Sequence, residues 1–354
     1  INTVFPKTFE IYKQWDRKEL PPEEMYATIF GEIVSAEKRA IGKASTRMNY
    51  SRSGWKSLIK KSKRKFKKIK EGPYKEQMIA LDKRWGKIEF WKALGEMVDP
   101  YTFGYFLNAV DLKYDSNKEI IRQPEKRRIY NYTWYKTVKI SVLVTLFCLI
   151  LGYPIAHLLA TLPLKYSNLL MIFVLLPFWT SLLVRTVSWI IILMKKGVFN
   201  SILVWAGVIA DENRMQLIYN ETGTLIAMTQ ILLPFMVLPL YSVMKTIPPS
   251  YMRAALNLGA QPMHAFYKVY MPQTVPGISA GGLLVFVLAI GYFITPELVG
   301  GADGQLIGHF IAYHLKSTLN WGLCAALGTI LLVVMLTLYW VYNKIVGIEN
   351  IKLG

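Results

Sequence analysis

Apolar residues collect in five long runs in the last two-thirds of the chain, roughly 138–160, 168–194, 223–244, 274–296 and 322–346, with polar residues before and between them. As a helix, each run is long enough to cross about 30 Å of hydrocarbon. Several contain residues that a soluble helix rejects: Gly152 and Pro154 in the first, Pro177 in the second, Pro234 and Pro239 in the third, Gly281 and Gly282 in the fourth. Packed membrane helices tolerate them because neighbours re-satisfy the freed backbone groups, and prolines at depth leave kinks. The apolar stretch 198–210 is too short to cross and predicts a helix at the membrane surface. A second surface segment is expected over 304–319, entered through Gly300 and Gly301. Before the first run, residues 56–70 alternate cations with Trp55, Leu58, Ile59, Phe66 and Ile69, which fit one helical face. Such a helix suits anionic lipid headgroups, or equally the solvated face of a small helical domain that contacts a partner protein.

Between the third and fourth runs lies a polar loop with its own helical punctuation. Pro248 and Pro249 cannot sit inside a helix, Ser250 is a capping residue type, and Gly259 supplies the left-handed position that ends a helix. A helix of about nine residues, roughly 13 Å long, is predicted between them. Ala254, Ala255 and Leu258 fall on one face, small and apolar. Pro262 then presets a second helix, which Pro272 is expected to close. The pair has the outline of a DNA-binding helix-turn-helix. Arg253 and Lys268 are its only Lys or Arg residues, too few to neutralise a phosphate backbone, and membrane-length runs flank it on both sides.

The loop resembles the EAA loop of ABC importer permeases, in which Glu-Ala-Ala precedes a glycine and a closing proline. Arg253, Ala254, Ala255, Gly259, Val269, Met271 and Pro272 occupy the corresponding places, with Arg253 standing where the family has its Glu, and the expected ATPase-coupling residues are Arg253, Ala254, Ala255, Leu258, Gly259 and Pro272. From about Asp99 onward the chain is similar to the permease subunit of spermidine/putrescine importers. The matching stretches are Leu151 to Pro154, Pro177 to Thr180 with Arg185, Leu232 to Val237, and Gly300 with Gly301. The resemblance implies an all-α polytopic membrane protein with the type I ABC importer permease (MetI-like) fold. It further implies a second permease subunit, two ATPase subunits that hold ATP and Mg, and a periplasmic solute-binding protein.

Charge divides the chain in two. Residues 1–135 carry 29 Lys and Arg against 17 Asp and Glu, a balance of +12, and the remainder contributes +7. The expected organisation is therefore a basic, mostly helical insertion over 1–135, a permease domain over 136–350, and a cytoplasmic coupling loop over 245–272. If that loop faces an ATPase, three crossings place residues 1–135 on the periplasmic side of a bacterial inner membrane, and a further crossing is expected upstream of Ile1. The Lys-rich stretch argues the other way by the positive-inside rule, but that rule is counted over short loops. Lys165, Lys245, Lys268, Lys344 and Lys352 agree with the assignment, whereas Lys195 and Lys196 dissent.

The chain carries no ATP-binding glycine loop, since Gly42 and Lys43 are followed by Ala44 and lack the upstream glycine. Its four histidines and two cysteines have no metal-ligand spacing. No cofactor is expected on this chain, no catalytic residue, and no nucleic-acid partner. Candidates for a substrate path are Phe178, Trp179, Arg185 and Trp189 in the second run, with Tyr292 and Glu297 at the outer end of the fourth. A charge such as Arg185 at membrane depth costs about 2.5–3.5 kcal/mol unless it faces protein or water. Phe178, Ser181, Arg185 and Trp189 share a face if the run is one helix. Glu297, flanked by rings, suits an ammonium group or a structural pairing with Arg185. A polyamine is the expected solute, with another cationic or amino-acid-like solute such as an opine as the alternative. A membrane scaffold whose basic domain binds lipid or protein is the alternative of another class.

Overall fold

The computed structural model describes residues 1, 3–51, 54–67, 69, 71–94, 102–115 and 119–346. Asp99, Lys68, Lys70 and Lys352 lie outside them. The chain divides into two units, one of Ile1–Arg128 with the returning segment Thr318–Ala326, the other of Ile129–Ser317 and Leu327–Gly354.

The first unit is built from short amphipathic helices: α1 (Pro6–Gln14), α2 (Glu23–Ser35), α3 (Lys38–Ser51), α4 (Trp55–Phe66), α5 (Tyr74–Leu81), α6 (Ile88–Lys92) and α7 (Gly104–Asn108). A two-stranded antiparallel hairpin follows, β1 (Leu112–Tyr114) and β2 (Ile120–Arg122), with Leu112 opposite Arg122. Three-residue strands are too short to show an alternating pattern, so this hairpin has no signature in the sequence. The core is aromatic, with Tyr26, Trp55, Trp85 and Trp91 fully buried. Two buried donors converge on one carbonyl: Tyr26 Oη and Trp91 Nε1 donate to the Trp85 oxygen at 2.7 and 2.9 Å, while Trp85 Nε1 donates to Ser62 Oγ at 3.1 Å. Burial pushes the Tyr26 phenol up to about 12. On α4, Trp55, Leu58, Ile59, Ser62 and Phe66 all point into this core. The apolar face of the Lys-rich helix is thereby occupied by its own unit, and only its cations are offered outward. At the rim, Asp82 accepts from Arg84 Nε and Nη2 at 2.9 and 2.8 Å and from Lys61 Nζ at 2.7 Å. The Arg84 guanidinium, with Lys61 behind it, holds this carboxyl well below the usual carboxylate range.

The second unit contains α8 (Tyr130–Thr161), α9 (Leu164–Leu175), α10 (Leu182–Leu193), α11 (Val198–Trp205), α12 (Glu221–Thr246), α13 (Pro249–Asn257), α14 (Pro262–Ala265), α15 (Met271–Gly291), α16 (Ile294–Gly300), α17 (Ile307–Lys316) and the body of α18 (Trp321–Val346). Five stretches are long and apolar enough to span a membrane: Tyr130–Thr161, Leu182–Trp205, Glu221–Thr246, Pro262–Gly291 and Trp321–Lys344. Their centre is a tight trio. α8 and α12 run parallel, tied at one end by Lys139 Nζ to Glu221 Oε2 at 2.8 Å and at the other by Lys245 Nζ to the Ala160 oxygen at 3.3 Å. α15 runs antiparallel to both, and Gly281 lets it approach α12 so closely that a Cβ there would lie 2.8 Å from Met236 Sδ and 3.1 Å from the Met236 oxygen.

Two expected spans are corrected. The second run is not one helix over 168–194: α9 gives way to a single 3₁₀ turn, Leu176–Trp179, and α10 begins only at Leu182. Pro177 opens that turn, where it needs no donor, and Thr180 and Ser181 take extended backbone. The chain still crosses the unit. Ser167 Oγ donates to the Leu159 oxygen at 2.7 Å near one end, and Thr186 Oγ1 meets Thr295 Oγ1 at 3.1 Å near the other. The stretch beginning at Leu182 bends again at Met194–Gly197 before α11, so Leu164–Leu193 makes the traverse. The fourth run ends at Gly291 instead of 296, and Glu297 belongs to the separate short helix α16. A continuous helix would drive the Pro296 ring into the Tyr292 carbonyl, four residues back.

Candidate coupling loop and translocation path

At the end of the unit marked by Ala160 and Lys245, the loop forms the two helical pieces its prolines predict. Pro248 sits at the N-cap and Pro249 at the first helical position, where a missing N–H costs nothing. Ser250 is one residue inside the helix and makes no capping bond, since the prolines have already set the entry geometry. The exit closes as expected. Gly259 has φ +87°, its N–H bonds to the Leu256 oxygen at 3.0 Å, and the Ala260 N–H reaches back to the Ala255 oxygen at 3.1 Å. That is the paired bonding of a glycine-terminated helix, and it points Leu258 outward with 89% of its surface exposed. Arg253 and Ala254 are exposed beside it, while Ala255 is half-buried. Tyr251, Leu256 and Met263 add further exposed apolar surface.

Pro272 does not close the second piece. α14 continues through one π turn, Phe266–Tyr270, into α15, so Pro262–Gly291 is an unbroken 30-residue rod. The wider turn accommodates a proline immediately after it, and Gln273 Nε2 donates to the Val269 oxygen at 2.7 Å. The base of the rod is braced on α8, where His157 stacks on Phe266 with ring centroids 5.6 Å apart and lies 5.1 Å from Tyr270. The loop is thus continuous with α15 and packed against α8.

The expected path residues gather toward the opposite end, though not as one stripe. Because the helix is broken over Leu176–Ser181, Phe178 and Ser181 do not share a helical face with Arg185. Phe178 packs edge-on against Phe235 at 5.0 Å, and Trp179 projects outward, 90% exposed. Arg185 lies in the first turn of α10, with Nε and Nη1 buried and without a hydrogen-bond partner among the described residues. Its charge reaches the Tyr292 phenol. Trp189 is held by its Nε1, which donates to Gln230 Oε1 at 3.0 Å. Glu297 pairs with His309, Oε1 to Nδ1 at 3.4 Å, and His309 in turn stacks on Tyr313. Gln230 and His309 had no signal in the sequence, because each partner lies on a different helix at no fixed spacing. Non-helical backbone at membrane depth persists only where protein buries it or water lines it, so the break at Thr180 and Ser181 marks a wall that faces one or the other.

A family model described as "Binding-protein-dependent transport system inner membrane component" matches residues 149–346. The chain belongs to that family. The permease is 38% identical over 214 residues to the spermidine/putrescine transport system permease protein PotB of Salmonella typhimurium, covering 60% of this chain and 74% of that one. To the PotB protein of Escherichia coli it is 38% identical over 220 residues, covering 60% and 79%. In fold it is similar to the crystal structure of a bacterial ABC transporter involved in import of the acidic polysaccharide alginate. There the TM-score is 0.53 and the identity 17%, over 74% of this chain and 87% of that one. The permease is accordingly a multi-pass membrane protein of the type I importer fold, and its loop Pro249–Tyr270 stands at one end of the helices while Glu297 and Arg185 stand toward the other.

Proposed function

We propose that this permease moves a polyamine across the inner membrane as one half of a transmembrane pair, driven by two ATPase subunits that hold ATP and Mg and fed by a periplasmic binding protein. The observation that carries the solute class is the 38% identity to spermidine/putrescine permeases. The exposed face of Arg253, Ala254, Leu256 and Leu258 is the docking knob for an ATPase, and the rod from Pro262 to Gly291 transmits the stroke. Residues 1–135 lie on the periplasmic side, because the chain enters α8 at the end opposite the loop. The break at Thr180 and Ser181 lines the path together with Trp179, and Tyr292 and Glu297 form its outer acidic and aromatic lip, where an ammonium exchanges for His309 on the carboxylate. Glu297→Gln in the reconstituted transporter is expected to lower uptake of radiolabelled spermidine about tenfold, with insertion and subunit assembly intact. Unchanged uptake kinetics would remove Glu297 from the path. Titrating the cognate binding protein with spermidine, putrescine and an opine tests the solute class, and selective binding of the opine would overturn the polyamine reading.

A further inference from the structure

The first unit contains a cavity of about 780 Å³ between α3, α4, α7 and the segment that returns at Thr318. Six cations line it: Lys38, Arg39, Lys43 and Arg47 along α3, and Lys56 and Lys60 on α4. The helical repeat puts them on one side, with Ile41, Ala44 and Met48 of α3 turned into the core behind them. Among the described residues no carboxylate lines the cavity and none of the six cations is in an ion pair. Six uncompensated positive charges around one concavity repel one another, and an anion relieves that repulsion.

The rest of the lining differs in chemistry: Tyr50, on α3 itself, with Tyr105, Leu319 and Trp321. Tyr50 Oη donates to the Thr318 oxygen, and Gly322 lies so close to Tyr105 that a Cβ there would come within 2.4 Å of the ring. Trp321 is also the first residue of the apolar stretch Trp321–Lys344. That stretch has 24 residues, a helix of about 36 Å against about 30 Å of hydrocarbon, which leaves about one turn for the headgroup region, where tryptophan is favoured. The cavity thus lies beside the first turn of that stretch, and its lining is both cationic and aromatic. Its volume suits a small headgroup and is too small for a protein surface.

We propose that this cavity binds a phosphate group, supplied by an anionic glycerophospholipid of the surrounding bilayer, with the cations on the phosphate and the Leu319–Trp321 wall against the glycerol and upper acyl chain. The site is independent of the transported solute. To test it, the full chain in detergent is titrated with dihexanoyl phosphatidylglycerol, dihexanoyl phosphatidylcholine and inorganic phosphate at fixed ionic strength, with bound mass read by native mass spectrometry. Phosphatidylglycerol is expected to bind at least tenfold more tightly than phosphatidylcholine. The double variant Arg39→Gln/Arg47→Gln should lower its affinity about tenfold, whereas Lys13→Gln/Lys87→Gln, exposed cations of the same unit away from the cavity, should leave it unchanged. Should the arginine pair prove misfolded, Lys43→Gln/Lys60→Gln tests the same wall. Trp321→Ala should weaken phosphatidylglycerol and leave inorganic phosphate as it was. Equal binding of the two lipids, or indifference to both cavity variants, would overturn the site. Inorganic phosphate binding as tightly as phosphatidylglycerol would overturn the lipid as its source. If the cavity variants weaken docking of the cognate binding protein and not lipid binding, the patch is a protein contact and the proposal fails.

Discussion

Gly259 is the residue on which the coupling loop turns. Its φ of +87° lies where a side chain is strained, and nothing stands within 4 Å of a Cβ placed there, so a substitution acts through the backbone alone. Gly259→Val should cost about 1–2 kcal/mol locally and displace Leu258 and Arg253 together. Proteoliposomes carrying it are expected to hydrolyse ATP with uptake reduced several-fold, and normal coupling would count against the loop as the lever. Arg253 stands where the family it resembles has its Glu, and it is exposed. In the first unit, Asp82 accepts from the Arg84 backbone N–H and pairs with the Arg84 and Lys61 side chains. Since its carboxyl titrates below the usual range when folded, the stability it supplies is complete above about pH 4, the unfolded value, and is lost as pH falls through the folded one. Asp82→Asn should destabilise the unit by about 1–3 kcal/mol at neutral pH and flatten that acid limb. Protease protection of the full chain between pH 7 and 3 measures both.

At the scale of elements, proline and glycine decide what hydrophobicity alone does not. Apolar length located five crossings, and the prolines bracketed the loop, because both signals depend only on neighbouring residues. The same signals misplaced three features. Pro177 converts the second crossing into α9, a 3₁₀ turn and α10, whereas before Pro272 the helix widens into the π turn Phe266–Tyr270 and continues. Pro296 detaches Glu297 from the fourth span by its clash with the Tyr292 carbonyl. Gly281 has a role that only the partner helix reveals. Gly281→Leu places a side chain against Met236 Sδ and its carbonyl oxygen, and should cost about 1–3 kcal/mol, lowering Tm in detergent while leaving the span apolar enough to insert.

For the whole molecule, orientation follows from connectivity. α8 and α12 run parallel and α15 returns antiparallel to both, so the loop and the entry to α8 stand at opposite ends of the bundle. A cysteine substitution at exposed Lys43 should label from the periplasmic side with a membrane-impermeant reagent, and Met263→Cys only after the membrane is opened. Labelling of Lys43→Cys exclusively from the cytoplasm would invert the topology. What the amino-acid sequence determined by itself was the membrane class, the number of crossings, the proline-bracketed loop with its left-handed glycine, and the segregation of a basic region from apolar ones. All of these arise from local composition and local backbone preference. Tertiary structure alone decided that Glu297 meets His309, that Trp189 is held by Gln230, that the Lys-rich helix turns its apolar face into a tryptophan core, and that six cations surround one cavity with Trp321. Those are contacts between residues distant in the chain, and no spacing along a sequence encodes a contact until packing brings its two sides together.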